Sequence, residues 1–235
     1  MEHSAIWEAL ATHGVNPGYI EILKRLYIEQ SGQVRANKRL SRTFQIERGT
    51  KQGDSLSSLL FNAVLENCFA DVRDKWRQKK YGLEMSIGTD CYLRSLCFAD
   101  DVMLFASTRA HLQNMLIDFK NAAEARGLIL HPEKSKVMTN AFSTTQSRVP
   151  QRIHIGDESL EVLDLDAKMK WLGRKISFND PQDCELNNRI AAAWGAFSKH
   201  KAELTGKQYR LCDRMRLFSA VVTSTALYGC ETWTL

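Results

Sequence analysis

"CFADDVMLF", Cys97 to Phe105, places two adjacent aspartates between short apolar runs. Taken alone, an Asp-Asp pair reads as a surface turn, because aspartate bonds its own backbone and tolerates unusual dihedrals. The flanks argue for more. "CYLRSLCF" leads into the pair and "VMLFAS" leaves it, both with strand character. The pattern predicts a strand, a two-residue turn and a second strand, with the carboxylates of Asp100 and Asp101 at the hairpin tip. Successive strand side chains point to opposite faces, whereas a turn can bring neighbouring carboxylates to one rim.

Two such charges repel each other unless something positive offsets them. A hard divalent cation does so, since Mg2+ (or Mn2+) takes oxygen ligands and uses one or two protein carboxylates plus substrate phosphates. The chemistry this suggests is phosphoryl transfer by two cations roughly 3.5 to 4 Å apart, which ordinarily requires a further carboxylate from another strand.

Upstream, "RGTKQGDSLSSLLFNAVLENCFADVRDKW" carries the sharpest helix start in the chain. Asp54, Ser55 and Ser57 are candidate N-caps, and Leu56, Leu60, Val64, Cys68 and Val72 recur along one face. Gly49 and Gly53 permit close backbone approach to a ligand, and free amides at a helix start suit a phosphate or carboxylate. Before this loop, Ser4 can cap a short helix ending before Gly14, and Pro17 opens a second helix with Ile20, Leu23, Tyr27 and Ile28 on one face. Alternation in "GQVRAN" and "RTFQIERG" predicts a hairpin.

Composition sets the class. The chain has 235 residues, 44% hydrophobic and 25% charged, the profile of a folded globular protein. A formal charge of +5 makes a polyanion a plausible partner. Arg35, Lys38, Arg39, Arg42, Arg48 and Lys51 form one basic cluster, and Lys199, Lys201, Lys207, Arg210, Arg214 and Arg216 another; each alone reads equally as a solvated face. The six cysteines lack C-x-x-C spacing, which argues against zinc and disulfides and for a reducing compartment. No run reaches the ~20 apolar residues of a membrane span, and the N-terminus has no signal-peptide pattern. The expected setting is intracellular, in cytoplasm and/or nucleus, without a membrane partner.

"GTKQGDSLSSLLFNAVLE", "LCFADDVMLFA", "GLILHPEKSKVM", "MKWLGRKIS" and "ALYGCETWTL", in this order and spacing, resemble the reverse transcriptase of non-LTR (LINE-type) retrotransposons. The resemblance runs from His3 to Leu235. It implies an α+β polymerase right-hand palm, an antiparallel sheet with helices on one face, plus a helical thumb. Partial fingers and palm are expected over residues 1–178 and a thumb-like segment over 179–235. By resemblance Asp100 and Asp101 are the metal-binding catalytic pair, with Mg2+ (or Mn2+). The Gly49 to Ser58 loop resembles the element that positions template and incoming nucleotide, with Gln52 and Gly53 closest and Arg48 and Lys51 as further substrate- and template-binding residues. Lys134 or Lys136 falls where the family places a lysine near the leaving pyrophosphate, Lys134 being preferred as proton donor. Trp171, Leu172 and Gly173 resemble the strand pair that grips the primer end. The implied partners are an RNA template, a DNA primer and deoxynucleoside triphosphates. The helical segment also admits a plain reading, in which Ile190, Trp194 and Phe197 pack into a core.

The departures are specific. Ser55 and Ser58 stand where the family usually has proline, and Trp171 replaces a usual tyrosine. The remaining catalytic aspartate of the family lies in a "Phe-Asp" segment directly before the run seen here as His3 to Trp7, upstream of Met1. Glu2 matches a variable position after it. The expectation is an RNA-directed DNA polymerase, truncated and inactive as this chain, the alternative being a non-catalytic nucleic-acid-binding remnant.

Overall fold

The structure, a computed structural model, describes residues 1–51, 53–85, 91–140 and 152–233. These divide into two compact units, Met1–Pro132 with His154–Ser159, and Glu133–Ile153 with Leu160–Leu235. Helices and small ladders make an α+β chain; among the described residues the two-stranded ladders are antiparallel, and a parallel pairing occurs in the three-stranded sheet.

The first unit begins with α1 (His3–Thr12) and α2 (Pro17–Ile28). Pro17 takes the first helical position as expected, and the Asn16 side chain accepts from the Gly18 N–H. Ser4 is not a cap: the cap position lies two residues earlier, at Glu2, with no side-chain bond, and α1 already includes Ser4. The expected hairpin forms as two nested ladders, β1 (Ser31–Gly32) with β4 (Phe44–Gln45) outside, and β2 (Arg35–Ala36) with β3 (Arg39–Leu40) inside. Its turn residues Asn37 and Lys38 both have positive φ, the geometry that matches strand twist in a two-residue loop.

Next, α3 (Ser55–Gln78) is the spine of the unit. Asp54 caps it, accepting from the Leu56 N–H at 3.0 Å. Of the anticipated stripe, Leu60, Val64, Cys68 and Val72 are buried and Leu56 is half-buried, but Leu65, Phe69 and Trp76 beside it are buried too. The helix therefore serves two cores. One joins Leu60 and Val64 to Ala5, Ile6, Ala9 and Tyr27. The other joins Phe69, Val72 and Trp76 to Tyr81, Met115, Phe119 and Ala123. Short ladders follow, β5 (Leu83–Glu84) with β6 (Tyr92–Leu93), then β7 (Ser95–Phe98) with β8 (Asp101–Leu104), and α4 (Arg109–Glu124) packs along α3.

Met1 and Glu2 run between two backbone segments. Gly49 N–H donates to Met1 O at 2.8 Å, Glu2 N–H donates to Arg126 O at 3.0 Å, and Glu2 bridges Arg48 antiparallel. Gly127 sits at φ +69°, and a Cβ there would lie 2.8 Å from Glu2 Cγ and 3.0 Å from its backbone N. Gly127→Ala combines left-handed backbone with this clash and is expected to destabilise the first unit by about 1–3 kcal/mol, measured by urea unfolding.

The second unit holds β9 (Lys136–Val137), β10 (Arg152–Ile155) and β11 (Glu158–Val162), with β11 between the other two and parallel to β9; residues 154–159 of that hairpin group with the first unit. It continues through β12 (Met169–Trp171), β13 (Arg174–Ile176), α5 (Pro181–Lys199) and α6 (Lys201–Thr205). The last long helix is α7 (Leu211–Phe218) running through a π turn at Ser219–Thr223 into α8 (Ser224–Ala226).

Helices make up most of residues 181–226, broken at 206–210, but the core assignment fails at Ile190 and Trp194, with Phe197 half-buried. Ile190 and Trp194 are 47% and 65% exposed, while Cys184, Glu185 and Arg189 are buried. The physical reason is that α5 turns a charged face, not an apolar one, against the β12–β13 hairpin.

Candidate active site

Register fixes the acidic hairpin: Ser95↔Leu104, Leu96↔Met103, Cys97↔Val102 and Phe98↔Asp101. The turn is thus Ala99–Asp100, shifted by one residue from the Asp-Asp turn the sequence suggests. Asp101 opens β8, and Ala99 takes φ +52°, a region that costs an L-residue roughly 1–2 kcal/mol. The shift keeps both carboxylates at the end of the ladder, where both residues are exposed. Val102, Leu104 and Ala106 anchor the hairpin against the α3–α4 core.

Neither carboxylate is ion-paired among the described residues, so their oxygen lone pairs remain available. This donor type fits a hard divalent cation. Among the described residues no group of three or more His, Cys, Asp or Glu could hold a metal, so the pair is a partial donor set.

Cys97 lines a cavity of about 170 Å³ beneath the turn together with Asn62, Leu65, Glu66, Phe69 and Ala99. Burial, and secondarily the Glu66 charge, push the Cys97 thiol up. Cys97 as a residue is exposed, and only the direction of its thiol's shift sets it apart. The thiolate is the reactive form, so alkylation of Cys97 at pH 7.5 is expected to be slower in the folded chain than in the urea-unfolded chain, the gap closing as pH rises above the ordinary thiol range. Mass-spectrometric labelling rates check it; equal rates at pH 7.5 would count against a raised thiol.

The loop before α3 lies in the same unit. Gly49 and Gly53 have φ +83° and +90°, and a Cβ on either would meet nothing within 4 Å. Positive φ, not crowding, is what calls for glycine, and the space beside both is open. His3 Nε2 lies 3.0 Å from Gly49 O, and the His3 ring meets Tyr27 edge-on, as Trp7 does. Lys51 is exposed, and its carbonyl accepts from the Ser57 hydroxyl at 2.7 Å. Arg48 Nη1 is 3.9 Å from Glu2 Oε1, both largely exposed, a pairing worth little. Gln52 lies outside the described residues.

In the second unit, Lys134 is an exposed turn residue with no ion pair among the described residues, whereas Lys136 is held by Glu161 at 2.5 Å. Trp171 pairs with Arg174, leaving Leu172 and Gly173 as a two-residue turn at φ +46° and +81°. Type I′ geometry of this kind favours Asn or Gly at the first position, so Leu172 is strained. The residues that hold it were missed from sequence: Glu185, Asn188, Arg189 and Tyr228. A Glu–Arg pair spaced i,i+4 ordinarily signals a solvated helix face, and nothing local marks this one as buried.

Residues 1–176 match the family described as reverse transcriptase (RNA-dependent DNA polymerase), and the chain belongs to that family. Among relatives it is 29% identical, over 63% of this chain and 23% of the relative, to the retrovirus-related Pol polyprotein from the type-1 retrotransposable element R2 of Popillia japonica. It is 26% identical, over 74% of this chain and 16% of the relative, to the corresponding polyprotein from the type-2 element R2DM of Drosophila melanogaster. A transposon-derived protein of Caenorhabditis elegans is 30% identical over 60% of this chain and 49% of its own length. The match is thus to reverse transcriptases of the non-LTR retrotransposon type, and the chain spans about half or less of the length of these relatives. No helix among the described residues is long and apolar enough to cross a membrane.

Proposed function

We propose that residues 1–178 serve as palm and partial fingers, and 179–235 as a thumb-like segment, in RNA-directed transfer of deoxynucleotides to the 3′-hydroxyl of a DNA primer on an RNA template. The observation that carries this reading is the exposed Asp100–Asp101 pair at the end of the β7–β8 ladder, inside the segment that matches the family. Asp100 and Asp101 would hold Mg2+ or Mn2+. When bound, a cation pair lowers the barrier by activating the attacking hydroxyl and stabilising the leaving oxygen. The chain's own residues position the reactants. The open faces of Gly49 and Gly53 let template and incoming nucleotide approach the backbone, with Arg48, Lys51 and Gln52 supplying polar and charged contacts. Lys134, free where Lys136 is tied to Glu161, would give a proton to the departing pyrophosphate. Trp171, Leu172 and Gly173 would meet the primer end. The site of action is cytoplasm and/or nucleus.

The donor count favours one qualification of this reading. Two carboxylates leave at least one of two cations without an anchoring ligand, so the 235-residue chain by itself is expected to give no measurable extension and to act only as a nucleic-acid binder. Fusion behind an upstream strand carrying the further aspartate, together with the remaining fingers, is expected to restore extension. Binding itself has a distinct signature: Lys and Arg contacts to phosphate release counterions and read no bases. Duplex or hybrid affinity is expected to fall with a log–log salt slope of about −0.9 per phosphate neutralised, with little sequence preference. Filter binding across a salt series tests this; a flat response would overturn the nucleic-acid reading.

A further inference from the structure

We infer that Glu185, at the start of α5, is a positioning residue that sets the Leu172–Gly173 turn; its consequence for the primer rests on the reading of that turn proposed above. The starting observation is an outlier. Leu172 stands at φ +46°, where a branched side chain gains nothing, and such a residue persists only when its surroundings over-determine it.

The surroundings do so atom by atom. Tyr228 Oη donates to Leu172 O at 3.0 Å. Asn188 Nδ2 donates to Gly173 O at 3.2 Å, and Arg189 Nη2 donates to the same carbonyl. Beyond the turn, Lys175 N–H donates to Glu185 Oε2 at 2.7 Å. Every one of these groups except Tyr228 is organised by one carboxylate. Asn188 Nδ2 is 3.1 Å from Glu185 Oε2, and Arg189 Nε and Arg174 Nε lie 3.0 and 3.7 Å from Glu185 Oε1. The Arg189 Nε approach is an ion pair off the line of a hydrogen bond, which leaves that guanidinium aimed at Gly173 O. Its Cζ also stands 5.2 Å over the Tyr228 ring.

Glu185 is 2% exposed, so its charge is compensated by these protein partners rather than by water. Simple gluing of a helix to a hairpin would be served better by apolar packing, since a buried ion pair is a poor source of net stability. What the polar arrangement adds is direction. It fixes both carbonyls of a strained turn and leaves Trp171 and Leu172 half-buried at its edge. A turn that must present a defined backbone to a primer terminus needs that fixity, because small misplacements cost rate steeply.

The test uses the 235-residue chain with Glu185→Gln, which keeps an acceptor for Lys175 N–H but removes the charge that holds Arg189, and Asn188→Ala as a milder second variant. Amide hydrogen exchange is read at Lys175 and at Ile153 and Leu160 in the neighbouring sheet, alongside affinity for a recessed primer–template and for blunt duplex. In Glu185→Gln, Lys175 exchange is expected to accelerate about tenfold with Ile153 and Leu160 unchanged. Preference for the recessed 3′ end is expected to fall five- to tenfold while blunt-duplex affinity stays within twofold. Asn188→Ala shifts both in the same direction by less. Unchanged Lys175 exchange in both variants, or equal acceleration at all three amides, would overturn the inference. Faster Lys175 exchange with an unaltered 3′-end preference would instead overturn the primer reading of the turn.

Discussion

Asp101→Ala, in a polymerase that contains residues 1–235, is expected to lower magnesium-dependent primer extension by at least about a thousandfold, and Asp100→Ala by a comparable factor. Phosphoryl transfer asks little covalent chemistry of the protein; catalysis is positioning and stabilisation of charge. On the proposed reading, removing one carboxylate would take away an anchoring ligand and its negative charge together. Several kcal/mol of lost transition-state stabilisation is the scale of such a loss, and each ~1.4 kcal/mol is tenfold in rate. Stability should barely move, since both residues are exposed and unpaired among the described residues, and substitutions in such places usually stay within about ±0.5 kcal/mol. That separation between rate and stability makes the prediction sharp. Single-turnover extension with matched urea midpoints checks it, and retention of more than a tenth of the rate would contradict it.

Trp76→Ala is expected to cost the first unit about 3–5 kcal/mol, a large share of the 5–15 kcal/mol that ordinarily holds a domain together. Trp76 is 2% exposed, meets Phe69 in a T-shaped contact at 6.2 Å, and donates its indole N–H to Asp118 Oδ2 at 3.1 Å. The substitution opens a cavity between α3 and α4 and leaves Asp118, partnered also by Lys75, short of one donor. The β7–β8 hairpin rests on the same core through Val102 and Leu104, so the damage should reach the acidic turn. Trp76→Phe keeps most of the volume and is expected to cost less than half as much. Urea midpoints at constant slope measure both.

What could be read in advance divides along a physical line. The acidic hairpin, the Asp54 cap and the buried Leu60–Val64–Cys68–Val72 stripe depend on local pattern, and local pattern is written in consecutive residues. The turn of the hairpin was one residue off because strand register is decided by pairing across the ladder; Ala99, not Asp101, absorbed the positive φ. The width of the buried face on α3 was underestimated for a related reason. A helix that serves two cores needs neighbours on both sides, and Phe69 and Trp76 meet partners more than 40 residues downstream. The greatest failure was on α5, where apolar periodicity pointed to Ile190 and Trp194 while the buried face is Glu185 and Arg189. Periodicity measures which face is greasy; it does not register that a carboxylate and a guanidinium satisfy each other and a turn 10 to 16 residues upstream.

The candidate site follows the same division. Asp100, Asp101, Lys51 and Gly53 were visible as residue types in loops, whereas the freedom of Lys134 relative to Lys136 depends on Glu161, which the parallel β9–β11 pairing brings opposite.

The central claim is that the Ala99–Asp101 turn is where a divalent cation is held. The most direct measurement is paramagnetic broadening by Mn2+, read residue by residue in the amide spectrum of the 235-residue chain with primer–template and a non-hydrolysable deoxynucleotide. The expected result is broadening centred on residues 98–102 at substoichiometric Mn2+, lost in the Asp100→Asn, Asp101→Asn double variant and reversed by excess Mg2+. Broadening centred elsewhere, or unchanged in the double variant, would contradict the account.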